Sequence, residues 1–527
     1  MAEATRPTER SEAAAPALLV QVAGRAPHPL AVRTIAFVVG AASLGTEIAA
    51  ARLLAPYFGA STIIWANTIA TVLVALSAGY WLGGKLADRR ADLRGLCAVV
   101  LVASLLLALV PFVADPFLRL SVAALGSLSV GGFAGSLAAI LVLVAVPIML
   151  LGTVAPYVSR LSVQSVSETG RTIGNLYAIS TVGSLVGTFL AALLLIPTIG
   201  THRTFIVFAL SLAVVSVPGL RLRRFWAIPL LVGGSLAIPP AAIGAGVAGG
   251  RVIYETETQY QYARVVQFRS GVRWLQLNEG VAVHSVYRPG TFLSRGYWDD
   301  FLVLPFAARS PAPAPPARIA ILGDAAGTVA RAYGHFFPAT RVDAVELDGK
   351  LTQIGKRYFH LSGPRLHLYT ADARPWLQAS DAHYGAIFLD AYRQPYIPFY
   401  LVTRQFFESA RAHLRPGGTF IVNVGHLPGS NSLERVVTAT LRAAFPYVVR
   451  DRVSSDNSLL VASTAPLSAD SMLAAHAQVP LALQGLLAST SGRLQPTLTG
   501  GSVYTDDKAP VEWLTDLSIL RYAAGTR

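Results

Sequence analysis

Residues 318–348 read RIAILGDAAGTVARAYGHFFPATRVDAVELD. One apolar run ends in the small-residue turn Gly323-Asp324-Ala325-Ala326-Gly327, and the next ends in Glu346-Leu347-Asp348. Two further runs close on Asp372-Ala373 and on Asp390-Ala391-Tyr392. A turn of small residues after a strand lets backbone approach a ligand and aims a helix N-terminus at it. An acid about 20 residues beyond such a turn accepts hydrogen bonds from ribose hydroxyls. Glu346 has that spacing, whereas Asp348 reads better as a helix cap. Carboxylates at the ends of successive parallel strands converge on one crevice. Four acids in that order are harder to dismiss as caps than one. The loop after Asp390, DAYRQPYIPFYL, carries Tyr392, Tyr396, Phe399 and Tyr400. Aromatic faces beside a carboxylate hold an ammonium group by cation–π attraction. A packed apolar lid is the plainer alternative for these rings.

The elements that position these residues follow from periodicity. Helical patterns near 326–334, 349–359, 402–414 and 430–444 alternate with strand-like runs. That is a βαβ pattern, and it predicts a parallel sheet covered on both faces over 318–527. YVVRDRV and SLLVAST predict a closing hairpin. Upstream, 250–309 alternates apolar and polar residues with turn signals at Ser270-Gly271 and Asn278-Glu279-Gly280, which predicts a small antiparallel meander. SPAPAPPAR (310–318) reads as a stiff linker.

The first half has another texture. The chain is 53% hydrophobic and 14% charged, with mean hydropathy +0.50. A soluble domain carries about 25% charged residues. The excess lies in apolar segments at 33–54, 62–84, 96–114, 134–157, 173–197, 203–220 and 226–248. A bilayer takes about 20 apolar residues per crossing. A helical membrane domain over 30–249 is predicted, with about seven crossings and six or eight as alternatives. Pro239-Pro240 could make the last segment re-entrant, and 117–133 could add a short crossing. Residues 1–29 predict a disordered tail without a cleaved signal peptide. Lys85, Arg89, Arg90, Arg94, Arg160, Arg171, Arg221, Arg223 and Arg224 cluster in alternate connections, which assigns those connections and the N-terminus to the cytoplasm. Much of the net charge of +14 borders apolar runs, where it meets lipid headgroups. No basic stripe with stacking aromatics argues for nucleic acid. The single Cys97 excludes an internal disulfide or a cysteine zinc cluster, and no metal is expected.

These motifs together bring a family into view. The C-terminal half resembles the spermidine synthase family of aminopropyltransferases in Tyr260-Gln261, LNEG (277–280), the glycine turn, VELD (345–348), Asp372-Ala373, LDAY (389–392) and RPGGTFIVNV (415–424). The N-terminal half resembles the membrane region of a branch fused to transmembrane helices, in EIAAARLLAPYFG, GYWLGGKLADR and GRTIGNLYAISTVGSLVGTFLAALLLIPTIG; DDKAPVEW (506–513) resembles a C-terminal motif of that branch. The resemblance implies a Rossmann-like domain of the S-adenosylmethionine-methyltransferase type. It also implies aminopropyl transfer from decarboxylated S-adenosylmethionine to a diamine such as putrescine. On that basis Glu346 would bind the ribose and Asp372 the adenine amino group, with Gly323, Asp324, Gly327 and Ala373 around the nucleoside. Asp390 would be the general base, and Tyr260 and Gln261 would line the donor and amine pocket. Soluble relatives are commonly dimers or tetramers, so a homo-oligomer is compatible. A cytosolic co-substrate implies an inner-membrane protein with its C-terminal domain in the cytoplasm, although seven crossings would place that domain outside.

The sequence also departs from the pattern. Ala326 stands where the family carries an Asp for the donor's amino group, and Asp324 is two residues away. Arg393 replaces the second acid of Asp-x-x-Asp, and His284 replaces a Gln. In GYWDDF (296–301), Asp299 and Asp300 either supply the missing negative charge or cap a helix. An Arg near the pocket suits a carboxylate-bearing partner such as undecarboxylated S-adenosylmethionine. A methyltransferase, or a transferase for a non-polyamine acceptor, is therefore the first alternative. A transporter or sensor with a nucleoside-binding domain is the second, since GGKLADRR resembles a loop of major facilitator carriers.

Overall fold

The computed structural model describes residues 28–523 except 59–61, 90, 126–130, 164–165, 239–246, 279–281, 311–312, 393–395 and 427–428. Six of its helices are long and apolar enough to cross a membrane: Pro29–Ala55, Ile64–Arg89, Leu93–Leu118, Gly135–Ser162, Thr169–Ile199 and Thr201–Leu220. They match the first six predicted segments. In place of a seventh, the described residues hold a short helix, Ala227–Gly234. The bundle has its own apolar core yet leaves Leu73, Val74, Trp81, Leu193, Leu230 and Leu231 exposed on its flanks. Apolar side chains inside and outside together suit a lipid environment. The helix from Pro29 packs closely on that from Thr169. A Cβ on Gly183 or Gly187 would lie 2.1 or 2.0 Å from the carbonyl oxygen of Phe37 or Ala41. Small residues let such backbones approach where no water drives helices together.

The meander is formed by β1 (Gly250–Glu257), β2 (Tyr262–Phe268), β3 (Arg273–Leu277) and β4 (Val283–Tyr287), antiparallel in that order. The main sheet holds β5 (Arg318–Leu322), β6 (Arg341–Glu346), β7 (Leu366–Thr370), β8 (Tyr384–Leu389), β9 (Leu414–Gly425), β10 (Tyr447–Arg452), β11 (Asn457–Ser463) and β12 (Leu494–Pro496). Its order is β12-β10-β11-β9-β8-β5-β6-β7, with β5 to β9 parallel and the last three antiparallel. Period-two alternation explains the two covered faces. Ile319, Ile321, Ala386 and Phe388 point into one core with Phe301 and Tyr333. Ala320, Leu322, Ile387 and Leu389 point into the other with Phe406 and Phe407.

Register places the chemistry. Leu322 of β5 pairs with Val345 of β6 and Leu389 of β8. The next residues, Gly323, Glu346 and Asp390, therefore stand level on one rim. β5 is flanked by β6 on one side and β8 on the other, so the connections diverge there and leave a crevice.

Candidate active site

Gly323 adopts φ +91°, and a Cβ there would lie 2.6 Å from the carbonyl oxygen of Asp390. The turn and the end of β8 can touch only because this residue has no side chain. Gly327 opens the helix Thr328–Phe336 with φ +87° and packs against Leu361. The Glu346 carboxylate accepts from the backbone N–H of Ala325 (2.8 Å) and of Asp348 (2.9 Å). Asp348 caps the helix Gly349–Tyr358 and also accepts from the Thr258 hydroxyl at 2.7 Å. Asp372 caps the helix Ala373–Gln378, and its second oxygen accepts from the Tyr400 hydroxyl at 2.7 Å.

Two cavities meet at Asp390. The first, about 580 Å³, is lined by Gln261, Gly323, Glu346, Asp372, Ala373 and Tyr396, with Tyr260 at its edge. The second, about 710 Å³, is lined by Asp324, Tyr297, Trp298, Asn423, His426 and Asp456. His284, Gly323, Ala325, Asp390 and Tyr392 border both. One Asp390 oxygen accepts from the Asn423 amide at 2.8 Å, and the carboxylate accepts from the Tyr297 hydroxyl at 3.0 and 3.1 Å. Burial pushes the Asp390 carboxyl up to about 6, against the lowering effect of hydrogen bonds from Asn423, Tyr297 and Trp298. Burial also raises Glu346 to about 7, opposed by its backbone donors. Asp324 is held well above the usual carboxylate range by burial and by the neighbouring Glu346. Desolvation holds His284 down at about 4, so its ring is neutral, and its buried Nε2 meets no hydrogen-bond partner among the described residues. A cavity that collects carboxylates and withholds water from them is suited to a cationic ligand.

No family model matches the chain. It is 29% identical over 281 residues to a probable polyamine aminopropyl transferase of Bifidobacterium longum, covering 50% of this chain and 61% of that one. It is 31% identical over 134 residues to the polyamine aminopropyltransferase of Vibrio vulnificus, covering 25% and 44%. The corresponding figures for the enzyme of that name from Mycobacterium tuberculosis are 25% over 355 residues, covering 61% and 62%. The chain is thus similar, over the parts matched, to proteins named as polyamine aminopropyltransferases. It spans less than two thirds of the length of each of these relatives. Among solved structures, a probable spermidine synthase from Corynebacterium glutamicum is similar at 20% identity and a TM-score of 0.36, covering 49% of this chain and 98% of that one.

Some expected residues fall elsewhere. Asp299 lines neither cavity; it is turned into its own loop, accepting from Ser294 N–H, Ser294 hydroxyl and Arg295 N–H at 2.7–2.8 Å. It lies inside the short helix Tyr297–Leu302, whose N-terminus carries no side-chain cap. Asp300 pairs with Arg493 at 2.8 Å and accepts from the Thr490 hydroxyl. Neither acid supplies negative charge to the site. Ala326 is buried beneath the meander, with its N–H donated to the Ser285 hydroxyl. Arg393 lies outside the described residues. Tyr297 and Asn423 were missed by sequence reasoning, although both sit inside motifs that drew attention, GYWDDF and RPGGTFIVNV. We predict that Tyr297→Phe, by removing a donor that favours the charged Asp390, moves the acid limb of the kcat–pH profile up by about one unit. An unshifted limb would detach Tyr297 from the reacting group.

The first cavity has an unexpected wall. Ile48, Ala51, Arg52, Ala55, Trp65 and Ala192 of the helical bundle line it opposite the strand-end acids. Two contacts clasp the bundle to the loop that carries Tyr260 and Gln261. The Arg52 guanidinium donates to the carbonyl oxygen of Gln259. The Glu257 carboxylate accepts from the N–H (2.5 Å) and hydroxyl (2.7 Å) of Thr201, at the start of the sixth apolar helix. Arg52 therefore meets the C-terminal half through this bond. Glu257→Ala should strip the Thr201 N–H of its acceptor and lower stability by about 1–3 kcal/mol. Thermal unfolding of the full chain in detergent checks this; an unchanged midpoint would show that the clasp carries no weight.

Proposed function

We propose that the protein is a membrane-anchored aminopropyltransferase that uses decarboxylated S-adenosylmethionine and a putrescine-like amine. The observation that carries this reading is the position of Asp390 between two cavities, one fitted for a nucleoside and one open to an acceptor. Glu346 accepts the ribose hydroxyls and Asp372 the adenine amino group. Tyr260 and Gln261 border the donor chain, while Tyr392, Tyr396 and His284 shape the space around the acceptor. The acceptor nitrogen attacks the carbon bonded to the sulfonium, the C–S bond breaks, and methylthioadenosine leaves with the electron pair. The proton released from nitrogen passes to Asp390. A sulfonium is already activated, so the protein's contribution is to hold the two partners in line and to take that proton. Burial supports the last role, because a base near 6 is ionised at neutral pH yet accepts a proton more readily than a free aspartate.

The alternative, methyl or other transfer from S-adenosylmethionine, draws support from the second cavity. Asp299 and Asp300 are engaged elsewhere, and Arg295 lines the space that an amine would fill. Incubating the purified full chain with putrescine and either donor separates the two. The proposal expects an aminopropylated product and methylthioadenosine from the decarboxylated donor alone. A methylated product would overturn it in favour of the alternative.

A further inference from the structure

Among the described residues, the hydrogen bonds from Arg52 and to Glu257 join the C-terminal half to one end of the helical bundle, and the charges of the chain tell which. Arg52 lies near the end of the first apolar helix, and Thr201 begins the sixth. Both meet the meander, through Gln259 and Glu257. Tyr57, at the end of the helix from Pro29, donates to Asp115 far along the third span at 2.6 Å, which places those two ends together. Gly95 and Tyr157 mark the opposite end: a Cβ on Gly95 would lie 2.6 Å from the Tyr157 hydroxyl, so the start of the third span adjoins the end of the fourth. Gly219, at the end of the sixth span, likewise adjoins Cys97.

The basic connections are all at this opposite end. Lys85, Arg89, Arg90 and Arg94 join the second span to the third, Arg160 and Arg171 the fourth to the fifth, and Arg221, Arg223 and Arg224 follow the sixth. Arg33 begins the first. At the docking end the spans carry Arg52, Arg119 and Arg203. Lys and Arg in short connections are held on the cytoplasmic side during insertion, whereas large domains are translocated largely regardless of their charge. Leu220 ends the sixth span at the basic end, the short helix Ala227–Gly234 packs back along that span with a Cβ on Gly233 3.7 Å from Leu210, and Glu257 stands at the docking end, so the chain has crossed back by Glu257.

We infer that the catalytic domain is docked on the outer, non-cytoplasmic face of the bundle, and that its cavities take their substrates from that compartment. This replaces the cytoplasmic placement expected from the co-substrate. The first cavity is closed off on one side by bundle residues Ile48, Ala51, Ala55 and Trp65, so a ligand reaching the strand-end acids passes along the outer membrane surface. The substrate class narrows accordingly, to an amine available outside the cytoplasm and a nucleoside donor delivered there.

The chain offers a direct test, because its one cysteine, Cys97, is buried in the bundle core. A cysteine placed at exposed Ala477 of the catalytic half, and separately at exposed Ser167 near the basic end, reports sidedness in the full-length protein. Spheroplasts expressing Ala477→Cys should react with a membrane-impermeant maleimide to the same extent before and after lysis. Ser167→Cys should react only after lysis, by at least about tenfold more. The reverse pattern overturns the inference and leaves the transferase reading standing. Outward labelling with no group transfer by the purified chain would remove that reading and leave this one, so the two fail separately.

Discussion

Asp390→Asn should lower kcat by about 10²–10⁴-fold while leaving the affinity for methylthioadenosine within about threefold of the unaltered chain. The variant keeps the shape of the side chain and one acceptor for the Tyr297 hydroxyl, but it cannot take a proton from the attacking nitrogen. Because the carboxyl is buried and titrates near 6, the rate of the unaltered protein should rise about tenfold per pH unit below that point and level above it. The sign follows from the role: a base works in its deprotonated form, and burial moves the onset of that form upward. Rapid-mixing kinetics between pH 5 and 8 read both effects. A variant that turns over at the unaltered rate would remove Asp390 as the base. Stability should not fall in the variant, since at pH 7 it exchanges a buried charge for a neutral amide of equal size.

Glu346→Ala should weaken binding of every adenosine-bearing ligand alike, by about 100-fold, because a charged acceptor of two ribose hydroxyls is lost. S-adenosylmethionine, its decarboxylated form and methylthioadenosine should shift together in calorimetry, which separates a ribose contact from a contact with the variable chain. Glu346 is raised to about 7 by burial, so the same affinities in the unaltered protein should tighten as pH rises from 6 to 8 and the carboxylate forms. Unchanged affinity in the alanine variant would exclude Glu346 from the nucleoside site.

Glu346 and Asp390 also show how far local pattern reaches. Strand runs of period two, separated by helical patterns, require parallel strands, and parallel strands put their carboxyl ends on one rim. The acids at 346, 372 and 390 could therefore be assigned to a common crevice from spacing alone, and pairing of Leu322 with Val345 and Leu389 realises that rim. Six of the apolar helices were legible for a similar reason, since span length is set by bilayer thickness. Of the seventh predicted segment, residues 239–246 lie outside the described residues, and the short helix Ala227–Gly234 occupies its first part.

Three features came only from the tertiary structure. Asp390 is gripped by Tyr297 and Asn423, which lie 93 and 33 residues away. Asp299, adjacent to Tyr297 but one, turns instead into its own loop, and nothing in GYWDDF says which side chain faces the cavity. The bundle forms a wall of the first cavity through residues some 200 positions before the loop they clasp. Local sequence determines periodicity, and periodicity determines which end of a strand a residue occupies. Which distant side chain meets it depends on how whole elements pack, and packing selects among many partners of similar chemistry by shape and burial rather than by any spacing along the chain.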